Sequence, residues 1–146
     1  MQQDMAITVV AHVIQLAVAP VFLLTSIGAV LSVLTSRLSR VVDRARNLED
    51  NLNKAVSADD AKIHEELATL SRRARLVGRA ITLCTVTALL ICAVIAILFL
   101  GASLGFNTSK IVSVLFIMAM LTFVGGLLFF LREVLIATST LRIGFR

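Results

Sequence analysis

Hydrophobic positions dominate three long stretches of this chain and thin out between them. Stretches free of Asp, Glu, Lys and Arg occupy residues 5–36, 80–109 and 111–131. A bilayer core about 30 Å thick is crossed by about 20 helical residues, so each stretch is long enough to span one. Gly101, Gly105 and Asn107 interrupt the second stretch. Its spanning part is therefore predicted over 81–100, with 101–110 a tight turn in which Asn107 or Ser109 caps the third helix.

Between the first two spans the pattern changes from continuous to periodic. Apolar residues fall at Leu34, Leu38, Val41, Ala45, Leu48, Leu52 and Ala55, then at Ile63, Leu67, Leu70, Ala74, Val77 and Ile81. Alternating steps of four and three are coiled-coil seams of period 3.5, each continuous with a membrane helix. Ser57 followed by Asp60 resembles a capping box that starts the second seam. The expected fold is all-α: three transmembrane helices with an antiparallel helical hairpin between the first and second spans. The divisions are 1–36 (outer end and first span), 37–79 (hairpin), 80–131 (second and third spans with the turn at 101–110) and 132–146 (C-terminal tail). Intersubunit pairing of the two seams is the alternative to a hairpin within one chain. A hairpin centred near residue 58 or 59 would set Arg44 opposite Arg73. Like charges so placed repel, which calls for a shifted register or an anion between them.

Composition agrees with the pattern. Of 146 residues 58% are hydrophobic and 16% charged, and mean hydropathy is +0.96. Disordered, disulfide-stapled and ordinary soluble classes are excluded. The N-terminal stretch lacks a basic n-region and is too long for an h-region, so it reads as a retained span rather than a cleaved signal. Ten basic residues lie between Arg37 and Arg79, and Arg132, Arg142 and Arg146 follow the third span, against only Lys110 on the other side. The positive-inside rule then puts the N-terminus outside and both the hairpin and the C-terminus in the cytoplasm. The net charge of +5 is thus topological. With no aromatic residue in the basic middle segment, nucleic acid is not an expected partner.

Small residues mark the expected helix contacts within lipid. Ala80, Cys84, Ala88, Cys92 and Ala96 recur every four residues in the second span, as do Gly28, Ser32 and Ser36 in the first, and Thr122 and Gly126 in the third. Packing within one three-helix bundle and packing between subunits both fit. Cys84 and Cys92 lie about 12 Å apart along one helix, beyond disulfide reach, and neither a zinc site nor a cofactor is implied. Pro20 predicts a kink in the first span. That span also holds the polar side chains Thr8, His12, Gln15, Thr25, Ser26, Ser32 and Thr35. His12 and Gln15, one turn apart near the outer boundary, are candidates for a pore lining or for interfacial anchoring.

Arg37, Arg40, Arg44, Arg46, Arg72, Arg73, Arg75 and Arg79 have three readings. They set topology and snorkel to lipid phosphates; they bind anionic headgroups specifically; or they serve a soluble phosphorylated ligand or a pore. Anionic membrane lipid is the expected partner.

The run Ala19-Pro20-Val21-Phe22-Leu23-Leu24, then Ile27-Gly28-Ala29, then Arg37-Leu38-Ser39-Arg40-Val41-Val42-Asp43-Arg44-Ala45-Arg46 resembles a family of small bacterial membrane proteins that carries only the description of a domain of unknown function. The likeness extends over nearly the whole chain and implies a bacterial inner-membrane protein with several spans. It implies no activity, ligand or catalytic residue.

No nucleophile–base pair, paired carboxylates, metal constellation or phosphate-cradling loop is apparent, so an enzyme is not expected. Glu133 beside Arg132 reads as an ion-paired helix terminus. The expected function is a non-enzymatic scaffold or accessory subunit that assembles with itself or a membrane partner. The alternative is a homo-oligomeric channel lined by the first span, with anion preference from Arg37, Arg40 and Arg44 at its inner mouth.

Overall fold

The computed structural model describes residues 2–54, 60–105 and 107–142. They form three helices: α1 (Gln2–Lys54), α2 (Asp60–Leu104) and α3 (Ser109–Arg142). Each is long and apolar enough to cross a membrane. α1 continues through Pro20, which is buried. The Ser57 cap lies outside the described residues.

The chain divides into two compact units, Met1–Val30 with Leu83–Val124 and Leu31–Thr82 with Gly125–Arg146. In the first, Val13, Ala17 and Ile27 of α1, Cys84, Ile91 and Val94 of α2, and Ala119 of α3 are buried. Thr87 is fully buried among them, and its hydroxyl lies 3.0 Å from that of Thr122. Thr87 Oγ1 also stands 2.9 Å from the Leu83 carbonyl and Thr122 Oγ1 2.9 Å from that of Ala119. Two protons therefore satisfy both hydroxyls without water, which matters where the surroundings supply no other partner.

The α2–α3 turn belongs to this unit. Gly105 closes α2 in the left-handed region (φ 69°), and its N–H donates to the Gly101 carbonyl at 2.9 Å, a helix ending that favours glycine. At the start of α3 the Asn107 Oδ1 accepts from the Ser109 N–H at 3.3 Å, and the Thr108 carbonyl accepts from the Val112 N–H at 3.0 Å. Gly101 is buried, and a Cβ there would lie 2.6 Å from Thr108 Oγ1, so only glycine lets the ends of the turn approach.

In the second unit Leu34 and Val41 of α1 and Leu70, Leu76, Val77 and Ala80 of α2 are buried, with Glu133 of α3 beside them. Here α1 and α2 run antiparallel. Arg44 meets Glu66, and Arg37 and Arg73 meet the same carboxylate. Moving up one helix is thus moving down the other.

Burial follows one rule along every helix. On α1 the buried residues Val13, Ala17, Pro20, Ile27, Leu34 and Val41 are joined by half-buried Leu24, Leu31, Leu38, Ala45 and Leu48 in unbroken steps of four and three. On α2 the same rhythm links Leu70, Arg73, Val77, Ala80, Cys84, Thr87, Ile91 and Val94. On α3 Ala119, Gly126 and Glu133 stand seven apart, all buried. The seam expected only between the spans therefore runs through the apolar stretches as well, the spacing that sets helices about 20° apart.

That rhythm corrects the small-residue faces. A step of four advances about 40° around a helix, while alternate steps of four and three return almost to the starting line. The stripe from Ala80 accordingly winds off the packed face: Ala80 and Cys84 are buried, Ala88 is half-buried, and Cys92 and Ala96 are exposed. Gly28, Ser32 and Ser36 are exposed too, and a Cβ on Gly28 would meet no atom within 4 Å. Gly126, on the seam, is buried.

Large apolar side chains face outward instead, among them Phe22 at 71% exposure, Leu89 at 66% and Leu121 at 63%. Apolar side chains thus line both the packed and the outward faces, a pattern that suits a surrounding of acyl chains rather than water. Replacement of Ala119 by Leu overpacks the seam and is expected to cost about 1–3 kcal/mol. Leu121→Ala, on the outward face, is expected to leave stability nearly unchanged. Thermal unfolding of the two variants in one detergent compares them.

Candidate functional site

Glu133 occupies the seam position of α3 one heptad beyond Gly126, and its side chain is fully buried. A carboxylate there needs compensation. Arg73, itself in the α2 seam, donates from Nε (3.2 Å) and Nη2 (2.9 Å) to Glu133 Oε1. Arg37 of α1 donates from Nη1 to Oε2 at 2.8 Å. The Arg37 guanidinium also lies 5.3 Å from the centre of the Phe130 ring, one turn back on α3, a cation–π contact. One acid thus ties three helices together through charge-assisted bonds. Among the described residues no buried side-chain nitrogen or oxygen lacks a hydrogen-bond partner.

Glu133 was expected to pair at a helix terminus beside Arg132; instead α3 continues to Arg142, and the acid faces inward. Arg44, expected opposite Arg73, donates to Glu66 Oε1 from Nε at 3.1 Å and Nη2 at 2.9 Å. The register is shifted so that the acid, not the cation, meets Arg44. This pair is well exposed, at 63% and 44% of side-chain surface, and such pairs contribute little.

The remaining arginines separate by face. Arg40 borders a cavity of about 340 Å³ that also holds Arg37, Arg44, Arg73 and Glu133, so its wall carries an acid. Arg46 borders a largely apolar cavity of about 500 Å³ that contains Glu49. Arg72, Arg75 and Arg79 share a third surface. With Arg132 of α3, and with Leu76 and Ala68, they line a groove of about 410 Å³ that has no carboxylate in its wall. All four guanidinium side chains are exposed. Arg75 Nη2 donates to Ser71 Oγ at 3.4 Å, a long bond that leaves its charge uncompensated.

His12 and Gln15 separate as well. His12 borders a cavity of about 470 Å³ with Thr8, Gly101, Asn107 and Thr108 in the unit that holds the turn. Gln15 is exposed and outside that lining. No group of His, Cys, Asp or Glu among the described residues could hold a metal ion.

A family model described as "Protein of unknown function (DUF2721)" matches residues 17–143. The chain belongs to that family. The match takes in the arginine surfaces, Glu133, α2, α3 and α1 from Ala17 onward. No curated protein and no solved structure matches the chain.

Removing the buried acid leaves Arg37 and Arg73 without their common partner. Glu133→Gln is expected to destabilise the protein by about 3 kcal/mol, as loss of one member of a buried pair does. Arg44→Gln is expected to cost under about 1 kcal/mol. Unfolding midpoints in detergent, read by the helical circular-dichroism signal, distinguish the two.

Proposed function

We propose that this protein is a non-enzymatic subunit of the bacterial inner membrane that self-associates through α1. Its N-terminus lies outside, and the antiparallel α1–α2 segment projects into the cytoplasm as a basic stalk. The split of basic residues, with Lys110 alone at the turn end, supports that orientation.

The observation that carries self-association is the second face of α1. Its seam residues are consumed within the chain, yet Thr25, Gly28, Ser32, Thr35 and Ser39 form another run of steps of three and four, and all are exposed. Thr25 and Thr35 donate their hydroxyl protons to the carbonyls of Val21 and Leu31 at 3.2 and 2.8 Å. The hydroxyls of Thr25 and Thr35 are thus bonded within their own helix, and close backbone approach along Gly28 and Ser32 supplies the attraction between copies. The buried Glu133 gives no support to a catalytic reading, since both its oxygens face arginines.

A pore formed around the same face is the second reading. Thr8, His12 and Gln15 extend it toward the N-terminal end of α1, and all are exposed.

With Cys92 replaced by Ala, Ser32→Cys is expected to form a disulfide-linked dimer in oxidised membranes, while Leu121→Cys on the outer face of α3 is not. A monomeric mass in mild detergent together with no Ser32→Cys crosslink defeats self-association. Flux of chloride or potassium through reconstituted vesicles above that of empty ones favours the pore over the scaffold.

A further inference from the structure

We infer that the groove of Arg72, Arg75, Arg79 and Arg132 is a binding site for the phosphate-bearing headgroup of an anionic phospholipid. The inference rests on the membrane placement proposed above and is independent of self-association.

The site follows from how the clasp is built. Arg72 and Arg73 are neighbours on α2, and Arg132 and Glu133 are neighbours on α3. Successive helical residues point about 100° apart. The inner members, Arg73 and Glu133, meet at 2.9 Å. The outer members, Arg72 and Arg132, are thereby brought onto one groove, where they repel. Arg75 and Arg79 continue the α2 wall at steps of three and four, so four guanidinium groups converge over two turns of helix. Glu133, the acid next to Arg132 in sequence, is turned inward and held by Arg37 and Arg73, and no carboxylate lines the groove. An external anion is the remaining source of compensation, and phosphate oxygens suit the planar fork of arginine.

The groove's position selects lipid over a free ion. Arg79 directly precedes the uncharged stretch of α2, and Arg132 directly follows that of α3. On α3 the residues one turn to either side of Arg132 on its outward face, Leu128 and Leu135, are 60% and 59% exposed. A headgroup held by the arginines can then lay an acyl chain along Leu128. Arg72 and Arg79 stand about 10 Å apart along the axis, so a headgroup with two phosphates satisfies more of the wall than one.

The test is native mass spectrometry and lipid titration of the full chain in phosphatidylcholine nanodiscs, using cardiolipin, phosphatidylglycerol and added phosphatidylcholine as probes. Cardiolipin is expected to bind most tightly and phosphatidylcholine not measurably. The double variant Arg75→Gln/Arg132→Gln is expected to weaken cardiolipin binding at least fivefold. Arg40→Gln/Arg46→Gln removes the same charge elsewhere and is expected to change it less than twofold. Matching unfolding midpoints for the two double variants exclude a folding defect, and a single Arg75→Gln serves if the first does not fold. Equal weakening by both pairs means unspecific attraction and overturns the site. Displacement of the lipid by millimolar inorganic phosphate, sensitive to the same residues, overturns the lipid assignment. Failure of the wild-type chain to enter nanodiscs removes the membrane placement and the proposal with it, a result distinct from a groove that enters but does not discriminate.

Discussion

A carboxylate with no exposed surface, just past the uncharged stretch of α3, is the constraint around which the basic half of this protein is arranged. Burying the Glu133 carboxylate without compensation would cost several kcal/mol. The fold answers with two arginines, one from each neighbouring helix, and with good geometry on both oxygens. A pure hydrophobic contact at that position would hold the helices as firmly, but it would not fix their register. Two guanidinium donors of Arg73 on one carboxylate oxygen do, because a shift of one residue moves the partners about 100° around the helix and breaks both bonds. In a bundle whose outer surface is apolar, and whose neighbours in lipid are no less apolar than itself, such a polar pin is an effective way to choose one alignment from several.

The rest of the packing is made of small differences. Ala, Gly, Thr and Cys on the seam let helices approach, and Phe, Leu and Val on the outside lose little by facing acyl chains. Thr87 and Thr122 bring a second polar contact to the same kind of seam, one hydroxyl donating across it and the other to a carbonyl of its own helix. Shape and two polar contacts, rather than a hydrophobic driving force, therefore specify which faces meet. The α1 residues Gly28 and Ser32 are of the same small kind and yet are exposed, which is what the proposed contact between copies draws on.

Much of this was legible from residue order. Uncharged stretches locate the three helices because a bilayer tolerates few exposed charges, and the seam from Leu34 to Leu48 could be read by counting steps of four and three. Glu133 was within reach by the same count: Ala119 and Gly126 lie fourteen and seven residues before it, and the pattern continued once more would have placed it inside. Its neighbour Arg132 obscured that, since two adjacent charges at the end of a span look like a solvated terminus. The register of α1 against α2 was not legible, because it depends on the length of the connection around Ser57 and on an acid from α3 that no pairwise count of the first two helices includes. The four-residue stripe from Ala80 misled for a geometric reason, the 40° drift at each step.

The arrangement of charge has a further logic. Arginines outnumber acids along the edge of the apolar stretches, and the acids present are not distributed evenly among them. Glu133 is shared by the part-buried Arg37 and Arg73, and Glu66 meets Arg44. The outward-facing Arg72, Arg75, Arg79 and Arg132 are left with no acid in their wall. Topology alone requires only that cations stand on the correct side of the membrane, anywhere within a few turns of the span ends. It does not require four of them to share one groove, where mutual repulsion works against the α2–α3 contact that Arg73 and Glu133 make. The clasp and the groove therefore oppose each other unless an anion occupies the groove, and a negatively charged headgroup would turn that opposition into a second attachment between the same two helices.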